Sequence, residues 1–459
     1  MISIAVIVRR LRIASALARL CLLFTAASFA HAQLIPTYPP LPSGSGPPPK
    51  IVARYPRNAS LPPVVSIPVG PLGFSVPGDY YLLRRQSLVS LDFLDEDRIL
   101  FTFRVSGLIQ RNAAGKTEGE QQKIQALVLT LPSGKVESRS EWVVPDRSRY
   151  LWMLNDGHFL LRVPAGLDEG DAQLKLTSNL RLPGRLLWIE MDPSQQLLIA
   201  NSMEPAAQSA AESATEAQQP GLPAANPPIA PADAQKPAVQ AVDQDVLVAR
   251  TLKRASGDVI HVTRMPFTSQ TFDWPLNSDG YLESVHGSGN LWFLLLKDFA
   301  GRDRVLERVQ STCPPAYTYT SVSELLVTTC DPENGSMLQA LSTQGNSLWE
   351  RRTASNAIWP LLVMAPNGSR LARQTMLLKR PVERYKHLLD AKDFDGQVVT
   401  VFDVASGRIL LESPLTPMLD GGGNVAISPS GQRVAILNAG AIQVFQLPPT
   451  PNPPQPALH

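Results

Sequence analysis

Two kinds of tight turn alternate along this chain, and their alternation limits the folds that it can adopt. One kind joins apolar strands through polar residues, as at Asn155-Asp156-Gly157 and Pro429-Ser430-Gly431. The other places a glycine just past a polar residue, at Gly134, Gly257, Gly345 and Gly407. A tight hairpin needs a residue that tolerates positive φ, and glycine does so without steric cost. The segments between the turns alternate apolar and polar residues, which is typical of β-strands.

The first kind of turn recurs with a regular period. Seven turns of this kind centre on residues 95–97, 155–157, 192–194, 277–280, 323–324, 366–368 and 429–431. Discounting polar insertions near 111–121, 204–242 and 375–396, they recur every roughly 40 to 48 residues, the period of a four-stranded propeller blade. Each such sheet buries both faces against its neighbours. The sequence therefore predicts an all-β protein, a β-propeller with seven blades of four antiparallel strands.

The last repeat is one strand short. Strands are predicted at 423–428, 433–438 and 441–447, after which Pro448-Pro449 prevents regular pairing. An open third strand would expose a row of unpaired backbone groups. We therefore predict that an N-terminal strand at about 80–87 closes the ring by pairing antiparallel with 441–447.

Residues 1–32 have the features of a secretory signal peptide. Arginines precede an apolar stretch at 20–30, and Ala30-His31-Ala32 forms an A-x-A cleavage site before Gln33. An uncleaved N-terminal anchor is the alternative. No other stretch reaches the roughly 18 apolar residues that a membrane span needs. We expect a periplasmic or extracellular protein with no transmembrane segment after removal of the signal.

Three further segments have compositions that do not support a packed core. Residues 33–75 are rich in proline, residues 204–242 form an Ala/Pro/Gln-rich insertion, and residues 448–459 form a proline-rich tail. Such segments bury too little apolar surface to fold, and we predict that they are disordered. The predicted propeller then spans residues 76–447 and is interrupted by the insertion.

Charge and cysteine content narrow the classes of partner. Removing the four arginines of residues 1–32 leaves 38 basic residues against 40 acidic residues. Nucleic-acid binders usually carry a basic excess, so no nucleic-acid partner is expected. Cys313 and Cys330 also remain, and an even count in an exported protein permits a disulfide, worth on the order of 3 kcal/mol for so short a loop. Two buried thiols are the alternative.

Two motifs resemble those of known propellers. Residues 339–349, QALSTQGNSLW, are similar to the Ala-Leu-Asp…Gly…Trp repeat of quinoprotein propellers, with Ser342 where the aspartate usually stands. Residues 427–431, ISPSG, are similar to the Ser-Pro-Asp-Gly turn of WD40-like repeats, with Ser430 in place of the aspartate. The chain resembles exported bacterial members of this β-propeller superfamily over about residues 80–447. The resemblance implies a fold and no cofactor.

One set of aromatic residues recurs shortly before the first kind of turn: Trp152, Trp188, Trp274, Tyr319 and Trp359. The first strand of each propeller blade lines the central channel, so these rings could form an aromatic collar at one mouth that stacks on a ligand. Packing between neighbouring blades is the alternative explanation for the same repeat.

The sequence contains no H-E-x-x-H, C-x-x-C, G-x-S-x-G or phosphate-loop motif, and its histidines show no metal-ligand spacing. No catalytic residue, metal or cofactor is therefore predicted, and an enzyme is not the favoured interpretation. We expect a binding or scaffold module for an unknown protein, carbohydrate or peptide ligand. The alternatives are a propeller hydrolase or quinone-linked oxidoreductase, or a structural component of a cell-envelope complex.

Deleting residues 204–242 should leave the melting temperature nearly unchanged, because closing a long surface loop costs little additional entropy. Thermal unfolding of the deletion variant and the wild type, followed by circular dichroism, measures the difference. A large loss of stability would show that the insertion packs against the blades.

Overall fold

The computed structural model describes residues 61–78, 87–105, 121–145, 149–163, 166–205, 246–266, 274–321, 323–331, 335–381, 384–385, 389–419 and 423–449. Within these ranges the chain forms 27 β-strands and short 3-10 turns, and no α-helix. The strands group into seven separate antiparallel sheets. In six of them the strands follow one another in sequence, and the seventh combines the first strand with the last three. Among the described residues, no helix has the length and apolar character that a membrane crossing requires.

The strands follow one another along the chain blade by blade. Strand β1 (Val65–Pro68) comes first. The first blade holds β2 (Ser90–Phe93), β3 (Arg98–Arg104), β4 (Gln121–Thr130) and β5 (Val136–Pro145). The second holds β6 (Leu151–Met153), β7 (Phe159–Val163), β8 (Gly166–Gly170) and β9 (Leu176–Arg181). The third holds β10 (Arg185–Met191), β11 (Leu197–Glu204), β12 (Val246–Lys253) and β13 (Val259–Pro266).

The remaining blades continue in the same order. The fourth holds β14 (Gly280–His286), β15 (Leu291–Asp298) and β16 (Asp303–Gln310). The fifth holds β17 (Ala316–Tyr319), β18 (Glu324–Asp331), β19 (Gly335–Ser342) and β20 (Ser347–Arg352). The sixth holds β21 (Ala357–Met364), β22 (Arg370–Leu378), β23 (Phe394–Asp403) and β24 (Ile409–Leu415). The seventh holds β25 (Val425–Ile427), β26 (Arg433–Asn438) and β27 (Ala441–Gln446).

The fourth blade has its innermost position filled by a very short segment. Leu276 forms an isolated antiparallel bridge with Tyr281 on β14. The Leu282 amide donates to the Pro275 carbonyl at 2.8 Å, which extends the same pairing by one bond. The architecture is therefore the predicted all-β propeller, with seven blades of four antiparallel strands.

Apolar side chains fill each junction between consecutive blades. On β2, for example, Leu91 and Phe93 face the seventh blade and join Ala435 and Leu437 in one buried cluster. Comparable clusters lie at the other six junctions. Burying one large apolar side chain contributes about 1.5–3 kcal/mol. The junctions therefore hold the ring together, and the cluster between the seventh and first blades closes it.

An N-terminal strand completes the seventh blade, as predicted, but the predicted segment was wrong. Strand β1 pairs antiparallel with β27, placing Val65 opposite Val444 and Pro68 opposite Ala441. The outer edge of β27 is thereby occupied, so residues 80–87 are not its partner; residues 80–86 lie outside the described residues. Proline is tolerated on β1 because this strand is at the sheet edge.

Two segment boundaries also differ from the sequence analysis. Residues 65–68 form a strand within the stretch 33–75 that was predicted to be disordered, so the propeller begins before residue 76. Glu204, assigned to the insertion 204–242, is fully buried at the end of β11, where it pairs with Arg250. A deletion that starts at residue 204 would leave Arg250 buried without this partner and would destabilise the ring, so the deletion experiment requires a variant that retains Glu204. The first exception is a four-residue strand that ends in a proline, and the second is a single charged residue. The predicted signal segment 1–32, residues 206–245 and residues 450–459 lie outside the described residues.

The three predicted insertions share one position in the blade. They fall between β3 and β4, between β11 and β12, and between β22 and β23. Each therefore connects the second strand of a blade to the third. The insertion predicted at 375–396 is shorter than expected, because β22 continues to Leu378 and β23 starts at Phe394.

Replacing Ile67 with alanine should lower the free energy of unfolding by about 2–4 kcal/mol, because the side chain fills the closing junction. Ile67 is 5% exposed and packs in the cluster between the seventh and first blades. Urea unfolding followed by tryptophan fluorescence measures the loss. Val64→Ala is the matched control: Val64 is 60% exposed, so its loss should stay within about 0.5 kcal/mol. Equal losses in both variants would contradict the closing role of β1.

Candidate functional site

A cleft of about 430 Å³ opens where turns from three blades meet. Its walls come from the turn between β2 and β3, the turns on either side of the β7–β8 hairpin, and the turn between β25 and β26. The lining residues are Leu94, Asp95, Glu96, Arg98, Asn155, Asp156, Gly157, His158, Asp171, Ala172, Gln173 and Pro429. The cleft therefore spans two junctions, the one between the seventh and first blades and the one between the first and second blades. It lies on the face that carries the first kind of turn.

The turn of the second blade packs directly on the first blade. Gly157 adopts φ +81°, and a β-carbon there would lie 3.2 Å from the carbonyl oxygen of Leu94. Both the positive φ and this close approach favour glycine. The Leu154 amide donates to the His158 carbonyl at 2.9 Å and closes the turn. This wall of the cleft is therefore fixed by backbone contacts.

The seventh blade is held to the first by hydrogen bonds on the same face. The Ser430 amide donates to Glu96 Oε1 at 2.7 Å, and Arg433 NH1 donates to the Glu96 carbonyl at 2.7 Å. Charge-assisted bonds of this kind are stronger than neutral ones. The turn residues of three different blades thus stay in one arrangement around the cleft.

Carboxylates dominate the charge of the cleft. Its lining includes Asp95, Glu96, Asp156 and Asp171 against the single guanidinium of Arg98. Arg98 Nε donates to Asp95 Oδ2 at 2.7 Å, and this hydrogen bond raises the pKa of Arg98. One carboxylate is therefore compensated within the cleft. The excess of negative charge favours cationic ligands.

Three potential metal ligands converge at one wall of the cleft. His158 Nδ1 lies 3.2 Å from Glu169 Oε1 and 3.7 Å from Asp156 Oδ2. One ligand atom from each of the three residues lies within 4.8 Å of the others. Asp156 and His158 belong to the turn before β7, and Glu169 lies on β8 in the next hairpin. The arrangement offers one nitrogen and two oxygens, a set that transition metals accept.

The sequence motifs alone did not reveal this triad, because its members are joined by strand register. Val163 pairs with Gly166, leaving two residues between β7 and β8, and Leu160 therefore lies opposite Glu169. His158 is two residues before Leu160, so it is a diagonal neighbour of Glu169. Recognising that Val163 pairs with Gly166 would have brought the two side chains together.

The aromatic collar residues are placed mostly in the blade junctions. Trp152 is buried between the second and third blades, Trp274 between the third and fourth, and Tyr319 between the fourth and fifth. These three rings perform the packing role that the sequence analysis kept as the alternative. Trp188 is half-buried and makes an edge contact with Trp152, with ring centroids 5.9 Å apart. The side chain of Trp359 lies outside the described residues.

Cys313 and Cys330 form a disulfide in the structure, with their Cα atoms 5.5 Å apart. It connects the segment before β17 to the end of β18, within the fifth blade. Ser311 Oγ accepts a hydrogen bond from the Cys330 amide at 3.0 Å and donates to the Cys313 carbonyl at 2.6 Å. The disulfide thus lies in the fifth blade, whereas the cleft is lined by the seventh, first and second blades.

An ionisable group also lies between the innermost strands of the first two blades. Asp92 on β2 accepts a hydrogen bond from Ser90. Burial raises the pKa of Asp92, while the Ser90 bond and the charge of Arg149 oppose this rise. Nearby, the Tyr150 and Thr102 hydroxyls lie 2.6 Å apart, and burial raises the pKa of Tyr150. The neutral forms of both acids are thus favoured in the folded ring.

Replacing Asp92 with asparagine should stabilise the protein at pH 7, because the amide carries no charge to bury. An acid with a raised pKa in the folded state supports folding below its unfolded pKa of about 3.9, and this support is lost as the pH rises through the folded value. The advantage of the variant should therefore shrink toward pH 3.5. Urea unfolding at both pH values measures it. Asp395→Asn, at an exposed position, should show neither effect; a pH-independent difference for Asp92→Asn would contradict the assignment.

No protein-family model and no characterised protein matches the sequence. The C-terminal WD40 domain of Sif2 has a TM-score of 0.40 at 10% identity, covering 85% of this chain and 99% of that domain. TolB from Acinetobacter baumannii has a TM-score of 0.36 at 12% identity, covering 72% of this chain and 78% of its own. The WD40 domain of Neurospora crassa Pan2 has a TM-score of 0.42 at 8% identity, covering 85% of this chain and 95% of that domain. These proteins are similar to the chain in fold only, and its assignment as a seven-bladed β-propeller rests on the seven sheets themselves.

Proposed function

We propose that the protein is an exported binding or scaffold module that holds a partner protein at the cleft. The observation that carries this proposal is the convergence of turns from the seventh, first and second blades on one charged concavity. Its volume of about 430 Å³ lies within the range of pockets that bind ligands. Inter-blade hydrogen bonds hold its walls, so a partner would meet a preorganised surface, which lowers the entropic cost of binding.

The charge of the cleft defines the chemistry of the partner. Carboxylates from three separate turns face one arginine, which favours a peptide segment that carries lysine or arginine. Charge complementarity of this kind steers association and selects among partners. A protein segment of this type is one of the ligand classes expected from the sequence. The alternative, a carbohydrate ligand, would need exposed aromatic rings on which to stack. Three of the five collar rings are buried, so the structure supports this alternative less well.

Export is part of the proposal. The features of residues 1–32 support it, because they match a secretory signal with an A-x-A site. The disulfide between Cys313 and Cys330 is also consistent with an oxidising compartment, where such bonds persist. We therefore propose that the module acts in the periplasm or outside the cell.

Reversing the charge of Asp95 should reduce partner capture at least about tenfold, because Asp95 lines the cleft and a lysine there would repel a cationic segment. The measurement is chemical cross-linking of the full chain in a periplasmic extract, with captured proteins quantified by mass spectrometry. Capture that weakens as salt is raised would agree with the electrostatic contribution.

The matched control is Asp97→Lys, the same charge change in the same turn. Asp97 has a side chain that is 79% exposed and does not line the cleft. Partners whose capture falls in Asp95→Lys and persists in Asp97→Lys support the proposal. Equal capture by both variants and the wild type would show that the cleft is not the binding surface.

A further inference from the structure

We propose that Asp156, His158 and Glu169 bind one Zn²⁺ ion, or a similar divalent transition-metal ion, at the wall of the cleft. The inference rests on the proposed function, since it names a ligand of the same cleft.

Two of the three distances between the ligand atoms lie near the spacing that a tetrahedral metal requires. Zn²⁺ binds histidine nitrogen and carboxylate oxygen at about 2.0–2.2 Å, which places neighbouring ligand atoms about 3.3–3.5 Å apart. His158 Nδ1 lies 3.2 Å from Glu169 Oε1 and 3.7 Å from Asp156 Oδ2. All three atoms lie within 4.8 Å of one another. A small inward shift of the carboxylates is enough to close the set around one ion.

The second oxygen of each carboxylate is held by the protein. Asp156 Oδ1 accepts a hydrogen bond from the His158 amide at 3.2 Å. Glu169 Oε2 accepts one from Asn179 Nδ2 at 2.9 Å, and Arg254 NH1 lies 3.9 Å from the same oxygen. Partners of this kind orient metal ligands and fix which atom points at the ion. The remaining atoms, Asp156 Oδ2 and Glu169 Oε1, point toward the imidazole.

The site is open on the side of the cleft. The side chains of Asp156 and His158 are 53% and 45% exposed, and that of Glu169 is 24% exposed. Asp156 and His158 also line the cleft. Three protein ligands with one open position are typical of zinc sites that accept an exogenous group. A metal held here would present its fourth position to water or to a carboxylate or imidazole of the partner.

The donor set selects the class of ion. Ca²⁺ and Mg²⁺ prefer all-oxygen coordination, whereas imidazole nitrogen suits zinc and its neighbours in the first transition series. Without a metal, the same distances fit a histidine that donates its Nδ1 proton to Glu169. A metal would replace that proton, and the triad would serve as its ligand set. The experiment must therefore distinguish a metal site from a metal-free ion pair between His158 and the carboxylates.

Isothermal titration of the metal-free full chain with Zn²⁺ should show one strong site, with no comparable heat from Ca²⁺. His158→Ala should weaken this site at least about 100-fold, because it removes the nitrogen ligand. The matched control is His286→Ala, because His286 is an exposed histidine of the fourth blade. The zinc affinity of this variant should equal that of the wild type. Absence of a strong site in the wild type, or equal affinity in His158→Ala, would overturn the proposal.

A second variant separates a built site from adventitious binding to surface groups. Asn179→Ala removes the hydrogen-bond donor to Glu169 Oε2 and leaves the three ligands in place, so it should weaken zinc binding about tenfold, a loss that nonspecific binding would not show. Cobalt substitution gives an independent readout through the visible absorption of the bound ion. Circular dichroism confirms that each variant is folded.

The outcomes also distinguish this inference from the proposed function. Asp95 is not a member of the triad, so Asp95→Lys tests partner capture with all three ligands retained. Zinc binding without partner capture leaves the metal site standing and rejects the binding function. If partner capture depends on Asp95 but the chain binds no zinc, the binding function is supported and the metal site is rejected.

Discussion

Each sheet of this protein has two apolar faces, and neither face can be buried within its own blade. Leu91 and Phe93 on β2 pack against the seventh blade, whereas Leu100 on the next strand packs against the second. A blade is therefore stable only between two neighbours, and the ring only when its last junction is closed.

The closing junction carries more kinds of interaction than an apolar cluster alone. Strand β1 supplies backbone pairing to β27, and Glu96 receives the Ser430 amide across the junction on the turn face. On the sixth blade, Arg370 is fully buried beside Asp403 and donates to the Pro448 carbonyl at 3.0 Å, which fixes the end of the seventh blade. Breaking a buried pair of this type costs about 3–5 kcal/mol. The cleft lies at the closing junction and shares its rigidity.

The architecture was predictable because it repeats. A single hairpin with a glycine is weak information, but two turn types in alternation over seven units leave few folds. Strand β1 escaped prediction because its four residues carry too little periodicity and end in a proline. The candidate site escaped for a different reason: Asp156 and Glu169 meet through the register of β7 and β8, and the cleft needs the curvature of the ring to bring Pro429 beside Asn155. Local patterns predict strands, whereas contacts between blades depend on the closed ring.

The pairing of β1 with β27 also determines how the ring would respond to tension. Because the strands are antiparallel, the chain before Val65 and the chain after Gln446 leave the sheet at the same end. Pulling these two flanking segments apart would load the backbone hydrogen bonds one after another, like a zipper, and not all together as in shear. The ring is thus built to resist heat and denaturant through its buried junctions, yet it would yield to a small mechanical force applied across its own closure.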